Sequence, residues 1–311
     1  MSNAQFTYHV LERPFPDDFV EWYPYIKPQI IGDSPWLPWL QRVIAEDIPG
    51  VRDRFIAARH EPSRAWAGVV WASVSEAVPE LAHFGWFHVE DRWQGSGVGG
   101  HIIGTYLSTL EAEGVRVIML PTEITNERAI GMYYRRGWRI TLVDPARGSV
   151  WMVREPHGFH ESFFTPAPDR PLEVGPPQPS DFVALDYLLG RPAAAIRLLP
   201  IGLVGSRRFV SFHHAWDEAD YVVARQGGRP LGLAVSVERE DGTCVDCFAL
   251  DPRVMQAALE PLLADAESPY ALAAGGDAER RAAFGAAGLS PAGTVTEDIA
   301  GAPLTLCRYA C

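Results

Sequence analysis

Residues 94–100 read Gln-Gly-Ser-Gly-Val-Gly-Gly, and they follow a predicted strand at 80–89. A helix is predicted directly after them, because apolar residues recur at helical spacing from Val98 to Leu110. Glycines let a phosphate approach the backbone, and a helix N-terminus offers unpaired N–H groups at the positive end of its dipole. The stretch therefore predicts an anion-binding turn, with a glycine-rich turn that binds nothing as the alternative. It is neither a P-loop nor a dinucleotide fingerprint, since no Gly-Lys-Ser/Thr follows and the glycine spacing differs.

The composition is typical of a globular protein with room for two domains. The chain has 311 residues, of which 47% are hydrophobic and 21% charged. No apolar run approaches the roughly 18 residues of a membrane helix, and no secretory signal opens the chain, so we expect a cytoplasmic protein. The net charge of −12 argues against a nucleic-acid partner, because binding phosphates requires a basic surface. Lys27 is the only lysine, and this reliance on arginine indicates a G+C-rich bacterial genome.

A proline-rich stretch divides the sequence. Residues 155–180 show no sustained periodicity, which is typical of a linker. Nine of the ten tryptophans lie at or before Trp151, so the two halves differ in composition. We predict a first domain at 1–155, a linker at 156–180 and a second domain at 181–311.

All four cysteines lie in the second half. Cys244 and Cys247 resemble half of a zinc or redox site. They fall in a predicted strand, where side chains three apart point to opposite faces, and Cys307 and Cys311 offer no second pair. We expect free thiols and no metal.

A second motif lies downstream of the glycine turn. The pattern Asn-x-x-Ala-x-x-x-Tyr-x-x-x-Gly-aromatic is formed by Asn126, Ala129, Tyr133, Gly137 and Trp138. Together with the Gln-x-x-Gly-x-Gly of the turn, it resembles the GNAT superfamily of acyl-CoA-dependent N-acyltransferases, over roughly residues 6–154. The resemblance implies an α+β fold, in which a mixed, mostly antiparallel sheet flanked by helices splays open between its fourth and fifth strands.

The resemblance also implies where acetyl-CoA binds. The pantetheine would pair with the end of the fourth strand, the amides of the turn would hold the pyrophosphate, and Asn126 would bond the pantetheine arm. The predicted binding residues are Phe87, His88, Val89, Gln94, Gly95, Ser96, Gly97, Val98, Gly99, Gly100, Asn126 and Tyr133.

Tyr133 matches the tyrosine that protonates the leaving thiolate in this family. A phenol with a pKa of about 10 is protonated at neutral pH and can donate. The alternative is a packing tyrosine on an amphipathic helix. The resemblance also places the donor to the thioester oxygen at a backbone N–H near Phe87 or His88.

The reaction needs a general base, because an amine must lose a proton before it attacks a thioester. The sequence defines this base less sharply than it defines Tyr133. Relatives carry a glutamate or histidine eleven positions before the motif's glutamine, which here is His83. An imidazole titrates at about pH 6.5 and suits the role. A structural histidine, with its hydrogen bonds satisfied within a partly buried strand, explains the residue equally well. Glu80 and His88 are reserve bases, catalysis through waters is a further option, and Glu123 is a candidate to bind a cationic substrate.

Aromatic residues crowd the first two predicted helices, which cover the acceptor site in the resembling fold. They are Trp22, Tyr23, Tyr25, Trp36 and Trp39. We expect most of them to pack in the core and one or two to face the substrate.

The second half repeats the downstream motif in degenerate form. Asp277, Phe284, Gly288 and Leu289 stand at the motif's spacing. Where the glycine turn belongs, residues 248–254 read Phe-Ala-Leu-Asp-Pro-Arg-Val, and Phe284 lacks a hydroxyl. We therefore expect a second GNAT-like domain that binds no coenzyme A and packs on the first as dimeric relatives pack on each other.

These motifs predict an N-acetyltransferase that passes an acetyl group from acetyl-CoA to the primary amine of a small molecule. A non-catalytic acyl-CoA-binding or sensory module and a protein or peptide N-acetyltransferase are the alternatives. We expect a monomer with pseudo-dimeric halves or a homodimer, without a nucleic-acid or membrane partner.

Overall fold

The computed structural model describes residues 5–32, 36–144, 148–191, 220–299 and 302–311. The chain divides into two compact units, one of residues 1–139 with 151–155 and the other of residues 140–150 with 156–311. Among the described residues, no helix has the length and apolar character needed to cross a membrane. The side chain of Trp36 lies outside what the structure describes.

Seven strands form the first sheet, in the order β1-β2-β3-β4-β5-β7-β6. They are β1 (Phe6–Leu11), β2 (Val51–His60), β3 (Ala65–Ser75), β4 (Leu81–Val89), β5 (Val117–Glu123), β6 (Arg139–Asp144) and β7 (Ser149–Arg154). Strands β1 to β4 are antiparallel neighbours, whereas β5 pairs with β4 in parallel. β3 is buried from Trp66 to Ser75, which is typical of a central strand covered on both faces.

Helices cover the two faces of this sheet. They are α1 (Asp17–Trp22), α2 (Pro28–Ile31), α3 (Trp36–Ala45), α4 (Val98–Ala112) and α5 (Glu127–Tyr134). α4 packs on β3 through the apolar positions whose spacing predicted the helix. On the opposite face, Phe19 of α1 packs against the rings of Phe55 and Trp66.

The second sheet repeats the first strand for strand, because its order is β8-β9-β10-β11-β12-β14-β13 when counted from its β8 edge. Its strands are β8 (Glu173–Gly175), β9 (Asp220–Gln226), β10 (Arg229–Arg239), β11 (Gly242–Ala249), β12 (Tyr270–Ala274), β13 (Ser290–Ile299) and β14 (Ala302–Ala310). The helices are α6 (Phe159–Phe164), α7 (Phe182–Leu189), α8 (Pro252–Asp265) and α9 (Ala278–Ala286). α8 and α9 stand in the chain order of α4 and α5. The predicted fold class, a mixed sheet flanked by helices in each half, is confirmed.

Residues 156–180, predicted as a linker, contain α6 and β8, and β8 pairs with β9. Gln226 fixes the segment by bonding the backbone of Ala167 and Arg170. Arg225 forms a buried ion pair with Asp181 just beyond it. The proline-rich stretch is therefore an ordered part of the second unit, held by polar side chains far along the chain that its own composition does not reveal.

Candidate functional site

The edges of β4 and β5 part along the first sheet. The two strands pair in parallel only over Leu81–His83 and Val117–Met119. Beyond these residues β4 continues to Val89 and β5 to Glu123. The result is a wedge-shaped opening, which an extended ligand can enter to pair with the β4 backbone as an added strand does.

A β-bulge interrupts β4 beside this opening. Gly85 and His88 of β4 pair with Trp71 and Val69 of β3. Between these two pairs β4 has two residues, Trp86 and Phe87, whereas β3 has only Val70. Trp86 has a φ of 50°, an unfavourable conformation for a bulky residue. Backbone groups at a bulge drop out of the regular ladder, so an N–H here can serve a ligand instead of β3. This is beside the place at which the sequence predicted the oxyanion donor.

The glycine turn lies at the N-terminus of α4. Gly95 and Gly97 have φ values of 79° and 90°, which L side chains rarely adopt. Gly97 is the N-cap of α4, and no side chain caps the helix end, so its first N–H groups face outward for an anion. A Cβ on Gly99 would lie 3.0 Å from Cζ of Phe87, which shows how closely the helix start approaches β4. The left-handed glycines and the uncapped helix start leave the backbone of this turn accessible to a ligand.

A cavity of about 560 Å³ joins β4, the turn and α5. Of the predicted binding residues it is lined by Phe87, Val89, Gln94, Gly95, Gly97, Gly99, Gly100 and Asn126. The others do not line it: His88, Ser96, Val98 and Tyr133. Val98 is fully buried, the Ser96 hydroxyl donates to the Trp93 carbonyl, and His88 lies against Tyr25.

Three arginines of the cavity were missed from the sequence. Arg128, Arg135 and Arg136 line it with Ala129 and Met132. Arg136 also reaches the turn, where its Nη2 donates to the Gly100 carbonyl over 3.4 Å. The seven-residue step from Arg128 to Arg135 places both on one face of α5, a spacing that was available as a signal. These cations supply the positive charge that a phosphate-bearing ligand requires in an otherwise acidic protein.

Asn126 and Tyr133 occupy the two ends of α5. Asn126 caps the helix by accepting from the Ala129 N–H. Tyr133 is 4% exposed and packs against Phe84 and Trp138. Burial raises the pKa of the Tyr133 hydroxyl, with a smaller contribution from Tyr25 nearby, so the phenol stays protonated through the neutral range.

The structure separates the candidate bases. His83 is 1% exposed, with its ring 5.3 Å from that of Trp71, so any action on an amine would have to pass through other groups. Glu80 precedes β4 and lies more than about 20 Å from the strand's far end. His88 is partly exposed beside the bulge, 3.9 Å from the Glu90 carboxylate. Glu123 is the exposed last residue of β5, one of the two strands that border the split.

Among the aromatic residues of the first helices, Tyr23 is fully buried and Trp39 is 2% exposed. Both therefore pack in the core. Trp22 and Tyr25 remain partly exposed, and they lie against His88. These two are the ones that can face a substrate.

Asp53 on β2 is an additional carboxylate near this aromatic layer, and it accepts a hydrogen bond from Trp71 Nε1 at 2.8 Å. Burial raises its pKa to about 6, against the opposing effects of Trp71 and Arg13, while Asp47 adds to the rise. The folded state thus holds the proton up to about pH 6, whereas the unfolded chain releases it at its usual pKa of 3.8. The protonated Asp53 side chain therefore makes its full contribution to stability below pH 3.8, and this contribution is lost as the pH rises through about 6.

For Asp53→Asn we therefore expect a pH-dependent difference from the wild type. Relative to the variant, the wild type should lose about 2.4 kcal/mol of unfolding free energy between pH 4 and pH 7. Urea unfolding of both proteins across this range measures the difference. A difference that stays constant with pH would show that Asp53 titrates alike in the folded and unfolded states.

The corresponding place in the second unit has the same split but different contents. β11 pairs with β12 in parallel only at Cys244 and Val245. Its ladder with β10 runs without a bulge from Gly232 to Arg239. At the N-terminus of α8 the Asp251 carboxylate accepts from the Arg253 N–H, so the chain's own anion occupies the helix end.

A buried ion pair crosses this second split. The motif residue that is Ala129 in the first half is Arg280 in the second, and both follow an N-cap, Asn126 or Asp277, by three positions. Arg280 is fully buried and donates from Nη1 to Oδ1 of Asp246 on β11 over 2.8 Å. Burial raises the pKa of Asp246, and the guanidinium opposes that rise. The pair therefore joins α9 to β11, the elements that stand in the chain order of α5 and β4.

Comparison with known protein families gives one match. Residues 10–138 match the model of the Acetyltransferase (GNAT) family. The chain has no match among curated proteins. Similar solved structures include Ard1 from Thermoplasma volcanium, at 19% identity over 47% of this chain and 96% of that one, with a TM-score of 0.35. An acetyltransferase from Streptococcus agalactiae has 14% identity over 48% and 98% of the two chains, with a TM-score of 0.37.

A GNAT family acetyltransferase from Elizabethkingia anophelis, solved with acetyl-CoA bound, has 13% identity over 49% of this chain and 99% of that one, with a TM-score of 0.36. Because all three scores are below 0.5, the assignment rests on the family model and on the geometry of the cleft. Residues 10–138, which contain the strand split, the bulge and the glycine turn, are an acetyltransferase domain of the GNAT family.

Proposed function

We propose that this protein transfers an acetyl group from acetyl-CoA to the primary amine of a small molecule, using one site in its first half. The observation that carries the proposal is the convergence on one cavity of the β4 split, the bulge at Trp86 and the uncapped N-terminus of α4. Each of these features fits a different part of an acyl-CoA: the pantetheine arm, the thioester oxygen and the pyrophosphate. Arg128 of α5, with Arg135 and Arg136 just after the helix, complements the phosphate charge.

The residues around the bulge can perform each proton transfer of the reaction. A backbone N–H at Trp86 or Phe87 stabilises the oxyanion as the amine nitrogen bonds to the thioester carbon. His88, whose Nε2 lies 3.9 Å from the Glu90 carboxylate, accepts the proton that the ammonium loses before it attacks, and the second nitrogen proton leaves to solvent as the amide forms. Tyr133 donates its proton to the sulfur as the C–S bond breaks. His88 and Tyr133 then regain their starting states by proton exchange with solvent.

For the second unit we propose a structural role without acyl-CoA binding. Its helix N-terminus is capped by Asp251, its fourth strand has no bulge, and the ion pair of Arg280 and Asp246 joins α9 to β11 across its split. An acyl-CoA would have to displace a buried charge pair and a carboxylate cap at once.

Thiol release in the presence of acetyl-CoA tests the transfer. We expect turnover with members of a panel of small primary amines. Turnover with lysine peptides alone would favour a protein acetyltransferase instead. Tight binding of acetyl-CoA without turnover on either panel would favour a non-catalytic module.

Tyr133→Phe should lower kcat about 100-fold, because the thiolate then leaves without a proton donor. The affinity for acetyl-CoA should change less than about threefold, since the ring and its packing remain. Steady-state kinetics and calorimetry measure the two quantities. Tyr134→Phe is the matched control, because Tyr134 is the adjacent residue of α5 but 40% exposed. An unchanged kcat for Tyr133→Phe would remove Tyr133 from the mechanism.

A further inference from the structure

Partly exposed aromatic rings gather on the face of β4 that lies opposite α4 and α5. The bulge separates the strand's side chains, because Phe84 faces Tyr106 and Tyr133 whereas Trp86 meets the ring of Tyr25 at 4.8 Å. His88 follows on the same side, with its ring 5.9 Å from that of Tyr25 and 6.4 Å from that of Trp22. The group Trp22, Tyr25, Trp86, His88 and Glu90 is called the acceptor cluster below.

The acceptor cluster contains one carboxylate, at a defined position. Oε1 of Glu90 accepts from Nε1 of Trp22 at 2.7 Å, which holds the carboxylate beside the indole. The side chain of Glu90 is 34% exposed, so its charge is only partly screened by solvent. Within the part of the chain that the structure describes, the ion-pair contact of Glu90 is with His88 Nε2, at 3.9 Å.

The acceptor cluster touches the backbone at which transfer is proposed. The Tyr25 hydroxyl donates to the Phe87 carbonyl at 3.4 Å, directly beside the bulge. Burial raises the pKa of Tyr25 to about 12, so its hydroxyl remains a neutral donor. Trp86 is held at a φ of 50°, and strained residues of this kind occur preferentially at functional sites.

We infer that the acceptor cluster binds the amine substrate, and that this substrate is a primary ammonium carried on a flat apolar body. The inference rests on the proposed function and specifies its acceptor. The rings of Tyr25, Trp86 and Trp22 supply faces for an apolar group and for cation–π contact. Glu90 supplies the opposite charge, and His88 stands where the ammonium gives up its proton. A hydrophilic amine of equal charge makes only the ionic part of these contacts.

Calorimetry with the coenzyme A-loaded protein tests the inference without requiring turnover. The probes are 2-phenylethylamine and ethanolamine, which are both primary ammonium ions at neutral pH. We expect the aromatic amine to bind at least about tenfold more tightly. Tyr25→Leu should remove most of this preference, and Glu90→Gln, which keeps the acceptor for Trp22, should weaken both amines about tenfold.

Two control variants match these changes outside the acceptor cluster. Tyr134→Leu removes an exposed aromatic ring of α5, and Glu46→Gln removes a surface carboxylate of the first unit. Both should bind the probes like the wild type. Equal affinity for the two amines in the wild type, or a preference that survives Tyr25→Leu, would overturn the inference. Selective binding without thiol release would leave the inference standing and contradict the proposed transfer instead.

Discussion

Gly97→Glu should lower the affinity for acetyl-CoA by about 1,000-fold. Gly97 is the N-cap of α4 with a φ of 90°, so an L side chain there adds backbone strain of about 1–2 kcal/mol. The new carboxylate also repels the pyrophosphate and competes for the N–H groups that the phosphate needs. Together these effects amount to about 4 kcal/mol, which corresponds to the expected loss. Calorimetric titration with acetyl-CoA measures it.

Gly158→Glu is a closely matched control for this substitution. Gly158 is also a helix N-cap, at the start of α6, with a φ of 72° and open space where a Cβ would lie. The variant therefore carries the same charge and similar strain at a residue that does not line the cavity. It should bind acetyl-CoA like the wild type. Binding by Gly97→Glu within threefold of the wild type, or equal loss in both variants, would contradict the assignment of the turn as the phosphate cradle.

Arg280→Ala should destabilise the protein by about 3–5 kcal/mol. Arg280 and Asp246 are both fully buried, and the remaining donor to Asp246 is the Cys247 N–H. Removing the guanidinium leaves a carboxylate uncompensated in the core, which costs more than the pair contributes. Urea unfolding of the variant and the wild type measures the change.

The double variant Arg280→Met with Asp246→Leu separates the charge effect from the loss of packing. It removes both charges of this pair and keeps the core filled. Asp277, which lies 3.3 Å from Arg280 Nε in the wild type, keeps the backbone N–H of residue 280 as its donor. The stability of the double variant should therefore lie within about 1–2 kcal/mol of the wild type. If the double variant is as unstable as Arg280→Ala, packing rather than the unpaired charge accounts for the loss. If Arg280→Ala unfolds with the same free energy as the wild type, the second split tolerates a cavity and the ion pair does not stabilise it.

The glycine turn and the repeat were predictable because they depend on local sequence. A left-handed backbone at Gly95 and Gly97 requires residues without a Cβ, so the turn is visible in the sequence itself. The second motif has a similarly local cause. Gly137 and Gly288, with φ values of 95° and 96°, follow the C-terminal ends of α5 and α9. The side chains of Asn126 and Asp277 cap the N-terminal ends of the same two helices. Composition and spacing sufficed for these features.

The features that decide the chemistry depend on contacts between distant parts of the chain. The bulge at Trp86 exists only in the register between β3 and β4, which no local pattern specifies. Strand alternation alone does not show which face of the sheet is covered. The burial of His83 and the partial exposure of His88 therefore could not be predicted from the sequence. The pair of Arg280 and Asp246 joins residues 34 positions apart within apolar surroundings. Sequence reasoning thus predicted the glycine turn but not the buried ion pair of Arg280 and Asp246 in the second split.

A crystal structure of the protein soaked with coenzyme A tests most directly that there is one acyl-CoA site and that it lies in the first half. We predict one molecule per chain, with its pyrophosphate on the backbone amides of 95–100, its pantetheine along Phe87–Val89 and its thiol near Tyr133. No density should appear at the N-terminus of α8. Coenzyme A bound beside Asp251, two molecules per chain, or a pyrophosphate away from the glycine turn would contradict this assignment.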